Sequence, residues 1–201
     1  SMKKTNALAR QRAIYLAGAA GLRQKIPFAP LLLEQCAKEK MSAEAFAYIA
    51  GGAGLERTMA ANTGGFERWR IVPRMLRNVE ARDTAIDFLG KKIPAPFFLA
   101  PIGVLEMAHE AADLAVAKAA ATFGIPYIFS NQASMPMEQC AAAMGDVPKL
   151  FQLYWSRSNE LVASFLRRAE TCGCSAIVVT LDTTMLGWRT VPVDNSTLGE
   201  T

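Results

Sequence analysis

The stretch Lys149–Trp155, KLFQLYW, decides how the rest of the chain is read. Its first residues form an apolar run of strand length, yet Gln152 and Tyr154 stand near its end, two residues apart and therefore on one face of an extended chain. A face that carries an amide and a phenol at the end of an otherwise apolar strand implies a ligand with hydrogen-bonding groups.

Working outward from that strand, three more apolar runs share its habit. PFFLAP ends near Pro101, PYIFS at Ser130 and AIVVTL near Leu181, and between the four runs lie EAADLAVAKAAATFG, MPMEQCAAAMG and NELVASFLRRAETCG, each of helical periodicity and each closing on glycine. Strand and helix alternating in this way predict parallel pairing with right-handed crossovers. Two α/β architectures satisfy that pattern, a doubly wound open sheet and part of a (β/α)8 barrel. All four runs finish in binding groups: Ala100-Pro101-Ile102-Gly103, Ser130-Asn131-Gln132, Gln152 with Tyr154, and Thr180 with Asp182. An open sheet concentrates its site at one switch point, whereas every barrel strand points its carboxyl end at one mouth, so the barrel is favoured.

Residues from about 5 to 65 read as an all-helical preface, with LLLEQCAKEK and SAEAFAYIAG as its clearest periodic segments and Ser42 as an N-cap. The expected organisation is therefore residues 1–90 as preface and lead-in, and 91–201 as the first half of a barrel. Ser1-Met2 reads as a cloning remnant. The basic start lacks the long apolar core and small-residue cleavage site of a secretory signal, and no apolar run reaches the ~20 residues of a membrane span. Hydrophobic residues make up 51% of the 201, charged residues 20%, and the mean hydropathy is +0.14, values of a globular chain with a sizeable core. A net charge of +4 with scattered Lys and Arg argues against nucleic acid, while four cysteines with one close pair and a single histidine argue against a zinc site. A reduced, cytoplasmic protein without metal is expected.

Six segments, in order, then carry a resemblance: YIAGGAG (48–54), RWRIVPRMLRNVEARDT (68–84), PFFLAPIGV (96–104), FQLYW (151–155), RRAETCG (167–173) and VVTLDTTMLGWR (178–189). Together they resemble the FMN-dependent α-hydroxy-acid oxidising family, with APIGV, FQLYW and LDTTMLGWR most like its lactate 2-monooxygenase branch. The resemblance implies a (β/α)8 barrel behind a helical preface, FMN as cofactor and a small 2-hydroxy acid as substrate. It implies that Ala100, Pro101, Ile102 and Gly103 lie against the flavin, and that Ser130, Gln152 and Thr180 hydrogen-bond it. Tyr48, Tyr154 and Arg189 match the positions that hold the substrate's carboxylate and hydroxyl, Tyr154 being the one nearest the chemistry. A glutamine amide offers both donors and an acceptor to a flavin edge, and a guanidinium takes a carboxylate in two bonds.

Taken singly, the same residues have plainer readings. Ser130 is also a helix cap in waiting, Thr180 an ordinary β-branched strand residue, and Asp182 a loop-fixing carboxylate. His109, in MAHEAAD, matches a residue that opens the first barrel helix and is read as structural. Gly103 stands where many members have alanine; a missing methyl there is expected to widen the flavin's N5 side and to favour retention of product, as in a monooxygenase. The family's S-N-H-G-G-R-Q histidine, its fifth-strand lysine and its phosphate-binding loops have no match in these residues. The expectation is an amino-terminal half, inactive alone, that joins a carboxyl-terminal half or homo-oligomerises; the competing reading is a non-catalytic, self-associating half-barrel.

Overall fold

The computed structural model describes residues 7–27, 29–182, 185 and 187–189. Two compact units divide the chain, Ser1–Ile49 and Ala50–Thr201. The first unit is helical, as its alanine-rich periodicity predicts: α1 (Ala7–Ala19), α2 (Pro30–Lys38) and α3 (Ala43–Ala50). Ser42 does cap α3, its Oγ accepting from the amide of Ala45 at 3.2 Å. Within α2 the proline takes the first turn, where its missing N–H has no partner to lose.

The second unit begins with α4 (Arg57–Gly65) and a hairpin of β1 (Ile86–Phe88) and β2 (Lys91–Ile93). Then α5 (Ala112–Phe123), β3 (Tyr127–Ser130), α6 (Met137–Met144), β4 (Lys149–Tyr154), α7 (Asn159–Thr171) and β5 (Ile177–Thr180) follow in strict alternation. The three strands form one parallel sheet in the order β3-β4-β5, with Ser130 beside Gln152 and Tyr154 beside Thr180. Ahead of them PFFLAP pairs with β3 as a single parallel bridge, Leu99 to Tyr127, held by Leu99 N to Pro126 O at 2.9 Å and Ile128 N to Leu99 O at 3.0 Å. Spatial order thus repeats chain order with no reversal. Pro94, Pro96 and Pro101 explain why the first run is so short a strand, because none of them can donate to a ladder.

Alternation along the strands sorts the sheet into two faces. Tyr127, Phe129, Phe151 and Leu153 point to the helix layer and join Ala117, Ala120, Cys140, Ala141, Met144, Val162 and Ala169 in the core. Phe151, fully buried, stacks on Phe165 of α7 with centroids 5.6 Å apart. Small residues on α5 and α6 let the helices close on the aromatic strands. Each helix ends on the expected glycine, Gly124, Gly145 and Gly173 all having positive φ. The hairpin lies at the amino-terminal end of the strands: Phe88 meets Phe98 edge-on at 4.6 Å, and a Cβ built on Gly124, just before β3, would meet Pro94 Cγ at 3.8 Å. The opposite end, where the strands stop, is left for the site.

Among the described residues no helix is long and apolar enough to cross a membrane. On the outer surface Arg168 grips Glu138 in two bonds of 2.7 and 3.0 Å, tying α7 to α6, and this contact holds the Glu138 carboxyl below its ordinary range. Both side chains are about half exposed, 43% and 50%, so the pair is worth little in water. Denaturant unfolding should separate the two kinds of contact: Phe151→Ala should cost about 3–5 kcal/mol through the cavity it leaves, and Glu138→Gln less than about 1 kcal/mol.

Candidate cofactor and substrate site

Gln152 stands in the middle strand with 2% of its surface exposed, and its amide is bonded on both sides. Oε1 accepts from the Ser130 hydroxyl at 3.3 Å and from the amide of Asn131 at 3.4 Å, and Nε2 donates to Thr180 Oγ1 at 2.9 Å. Register makes this possible, since parallel pairing puts Ser130, Gln152, Tyr154 and Thr180 on the face turned away from the helices. Ser130 does not cap α6; its Oγ accepts instead from Gln132 N at 3.1 Å, turning the chain sharply after β3. Thr180 is likewise more than a strand-former, being the acceptor that finishes the chain of bonds.

The segment after the first run is drawn to the same place. Val104 N donates to Gln132 O at 3.0 Å and Glu106 N to Ser134 Oγ at 3.0 Å, so residues 103–106 and 130–135 lie side by side. A Cβ built on Gly103 would meet Gln132 Oε1 at 3.1 Å and Gln132 Cβ at 3.2 Å. The Gln132 side chain thus stands beside Gly103. Ala100 and Ile102 are exposed, Pro101 and Gly103 half-buried, leaving this segment accessible at the strand ends.

The remaining expected residues lie elsewhere in the chain. Tyr48 is on α3, in the first unit. Arg189 forms a parallel bridge with Gly54, whose amide donates to Trp188 O at 2.7 Å; Gly54 has φ +56°, which suits glycine. Thr183, Thr184 and Leu186 of LDTTMLGWR lie outside the described residues. His109 is structural as read, its Nδ1 accepting from Ala111 N at 3.0 Å just ahead of α5, and Asp182 is exposed. Among the described residues no cluster of three or more His, Cys, Asp or Glu is placed to hold a metal.

One residue of consequence escaped the sequence reading. Asp113, 1% exposed in the first turn of α5, accepts from Tyr127 OH on Oδ1 at 3.1 Å and from the amides of Ser134 and Met135 on Oδ2 at 2.8 and 3.1 Å. Its signal was present, for it sits four and seven residues before the buried Ala117 and Ala120, a charge on the apolar stripe of a helix. Burial, and after it the neighbouring Asp113 carboxylate, pushes the Tyr127 phenol well above its ordinary value near 10. The same two causes, in the same order, raise the Cys140 thiol to about 11.

Comparison with known proteins fits this geometry. Residues 37–200 match the family model described as FMN-dependent dehydrogenase, and the chain belongs to that family. An L-lactate oxidase of Lysinibacillus sphaericus is 44% identical over 163 residues, and an FMN-dependent alpha-hydroxy acid dehydrogenase of Penicillium citrinum is 38% identical over 165. The matches take in 81% and 82% of this chain but 42% and 41% of those proteins, so the chain spans less than half the length of these relatives. A solved mandelate oxidase superposes with a TM-score of 0.75 at 36% identity, over 81% of this chain and 47% of that one. The family is one of FMN-dependent 2-hydroxy-acid oxidoreductases, and its cofactor is FMN.

The residues present suit that cofactor. Serine, glutamine and threonine at adjoining strand ends offer a flat heteroaromatic edge both donors and acceptors from a buried position. Only one of the two Nε2 hydrogens of Gln152 is used by Thr180, and Thr180 keeps its own hydroxyl proton to donate.

Alkaline conditions should expose the buried acids. The unfolded chain releases the Cys140 proton near 9 and the Tyr127 proton near 10, whereas the folded chain holds both longer, so their contribution is complete below these values and fades as pH rises. Unfolding free energy measured from pH 8 to 11 should decline from about pH 9 upward, and Tyr127→Phe should flatten the decline above about pH 10.

Proposed function

We propose that this chain supplies the helical preface and the first four β/α units of a (β/α)8 barrel, in an enzyme that oxidises a small L-2-hydroxy acid such as lactate. The observation that carries the reading is the bonded row Ser130–Gln152–Thr180 at the carboxyl ends of three parallel strands, with Tyr154 beside it on the same face. Strands whose spatial order repeats chain order, with their helices on one face, support a barrel over a doubly wound sheet.

In this reading Ala100, Pro101, Ile102 and Gly103 flank FMN, and Ser130, Gln152 and Thr180 hydrogen-bond it. Tyr48 and Arg189 hold the substrate's carboxylate, and Tyr154 holds its hydroxyl, orienting the α-carbon. FMN when bound supplies the redox chemistry, taking two electrons from that carbon. The protein's task is to orient, to exclude water and to fix the phenol of Tyr154. The preface and lead-in run to about residue 90 in this scheme, and the whole enzyme is a cytoplasmic homo-oligomer of the lactate 2-monooxygenase type. A general base and the phosphate loops come from the remainder of the barrel, so the 201 residues alone do not turn over.

A second reading is favoured by one feature, the outer side of β5, where Ile177 is 38% and Val179 46% exposed on the strand that is, among the described residues, the last of the sheet. Such an edge suits self-association without catalysis. FMN titration of the complete protein followed by flavin absorbance, with intact mass on the same sample, separates the two. Flavin uptake that Gln152→Leu weakens by about tenfold or more, the loss of one or two buried hydrogen bonds, is expected; a colourless oligomer indifferent to FMN overturns the enzyme reading.

The monooxygenase assignment has its own test in the complete protein supplied with lactate. Acetate should exceed pyruvate plus peroxide, and Gly103→Ala, which forces Gln132 to move, should shift the ratio toward pyruvate. Mainly pyruvate and peroxide from the unaltered protein would reject it.

A further inference from the structure

Asp113 is a charge with no ion-pair partner among the described residues, in a position where a carboxylate is costly unless its lone pairs are met. Three donors meet them, and two of the three, the amides of Ser134 and Met135, belong to the segment that joins β3 to α6. That segment in turn grips the one after the first strand run, through Gln132 O to Val104 N, Ser134 Oγ to Glu106 N, and the Gln132 side chain against Gly103. The backbone just before the carboxylate is also strained: Ala112 has φ +37°, a left-handed conformation that non-glycine residues seldom adopt. Strain of this kind persists only where surrounding contacts enforce it.

We infer that Asp113 is a positioning residue for the site: by holding the amides of Ser134 and Met135 it fixes residues 130–135, and through Gln132 and Ser134 it fixes residues 103–106 beside them. Its functional meaning rests on the FMN reading above, in which both segments lie at the flavin. Tyr127, on the other carboxylate oxygen, ties Asp113 to the core and plays no part in this relay. The inference thus separates the two oxygens of one side chain, Oδ1 for stability and Oδ2 for the site.

Hydrogen–deuterium exchange on the 201-residue chain, resolved over 103–107 and 131–136 with α7 as internal reference, tests the relay without FMN. Asp113→Ala should speed exchange in both segments by about tenfold or more, the effect of a lost buried hydrogen bond, while α7 stays close to its original rate. Asp113→Asn, whose amide oxygen still accepts both backbone amides, should keep the protection, and Tyr127→Phe should leave both segments unchanged. Equal loosening of α7, or Tyr127→Phe loosening the segments as far as Asp113→Ala does, overturns the inference and leaves Asp113 a core residue only. Should Asp113→Ala fail to fold, Ser134→Ala cuts one link: exchange at Glu106 should rise and at Met135 stay put, and an unchanged Glu106 overturns the relay.

FMN titration of the same variants made in the complete protein keeps the two claims apart. Where the unaltered protein binds FMN, Asp113→Ala should weaken it by about tenfold or more and Asp113→Asn should restore it, an outcome a purely stabilising residue does not give. Failure of the complete protein to bind FMN defeats the cofactor reading, and the exchange data still decide the relay.

Discussion

The amide of Gln152 is bonded to the strand on either side of it, and this double bond across β4 is the constraint on which the site depends. A buried amide leaves little choice of geometry, because an unmet donor or acceptor in that position costs about 1–3 kcal/mol. Ser130 and Thr180 must therefore sit at matching heights, which requires the register that the sheet has. A slip of one residue would turn Gln152 into the helix layer and Phe151 out of it. Apolar packing on one face and hydrogen bonding on the other enforce the same alignment.

That coincidence explains how so short a sheet can carry chemistry. The helix-facing side is aromatic and aliphatic and locks to α5, α6 and α7 through Phe129, Phe151 and Leu153. Strands anchored on that side are free to spend their other face on polar groups. Lys149 illustrates the care taken at the start of β4: 7% exposed, it reaches Gly145 O at 2.7 Å and Val147 O at 3.3 Å and so closes the turn after α6 with its own ammonium.

Much of this was legible in the residues themselves. The periodicity of α5 to α7, their terminal glycines, the strand character of KLFQLY and the sharing of a face by Gln152 and Tyr154 followed from spacing alone. The β1–β2 hairpin did not, because its turn residues Leu89 and Gly90 both have positive φ, and leucine is not a residue by which such a turn is recognised. Asp113 passed unnoticed because a single acidic residue near a helix start reads as ordinary dipole compensation; only tertiary structure shows what its second oxygen holds. What stands beside Gly103 was not legible either. The family resemblance pointed to a missing methyl, but the side chain beside it, Gln132, comes from another part of the chain.

The unreversed order of the strands also bears on how the chain is made. Each of β3, β4 and β5 docks on the strand segment just before it, so loop closure stays short at each of these steps. A nascent chain emerging from the ribosome can add Leu99, β3, β4 and β5 to the ladder in the order of their translation. The edge of β5 is in that sense the growing end of the sheet, the template on which any later strand would be laid.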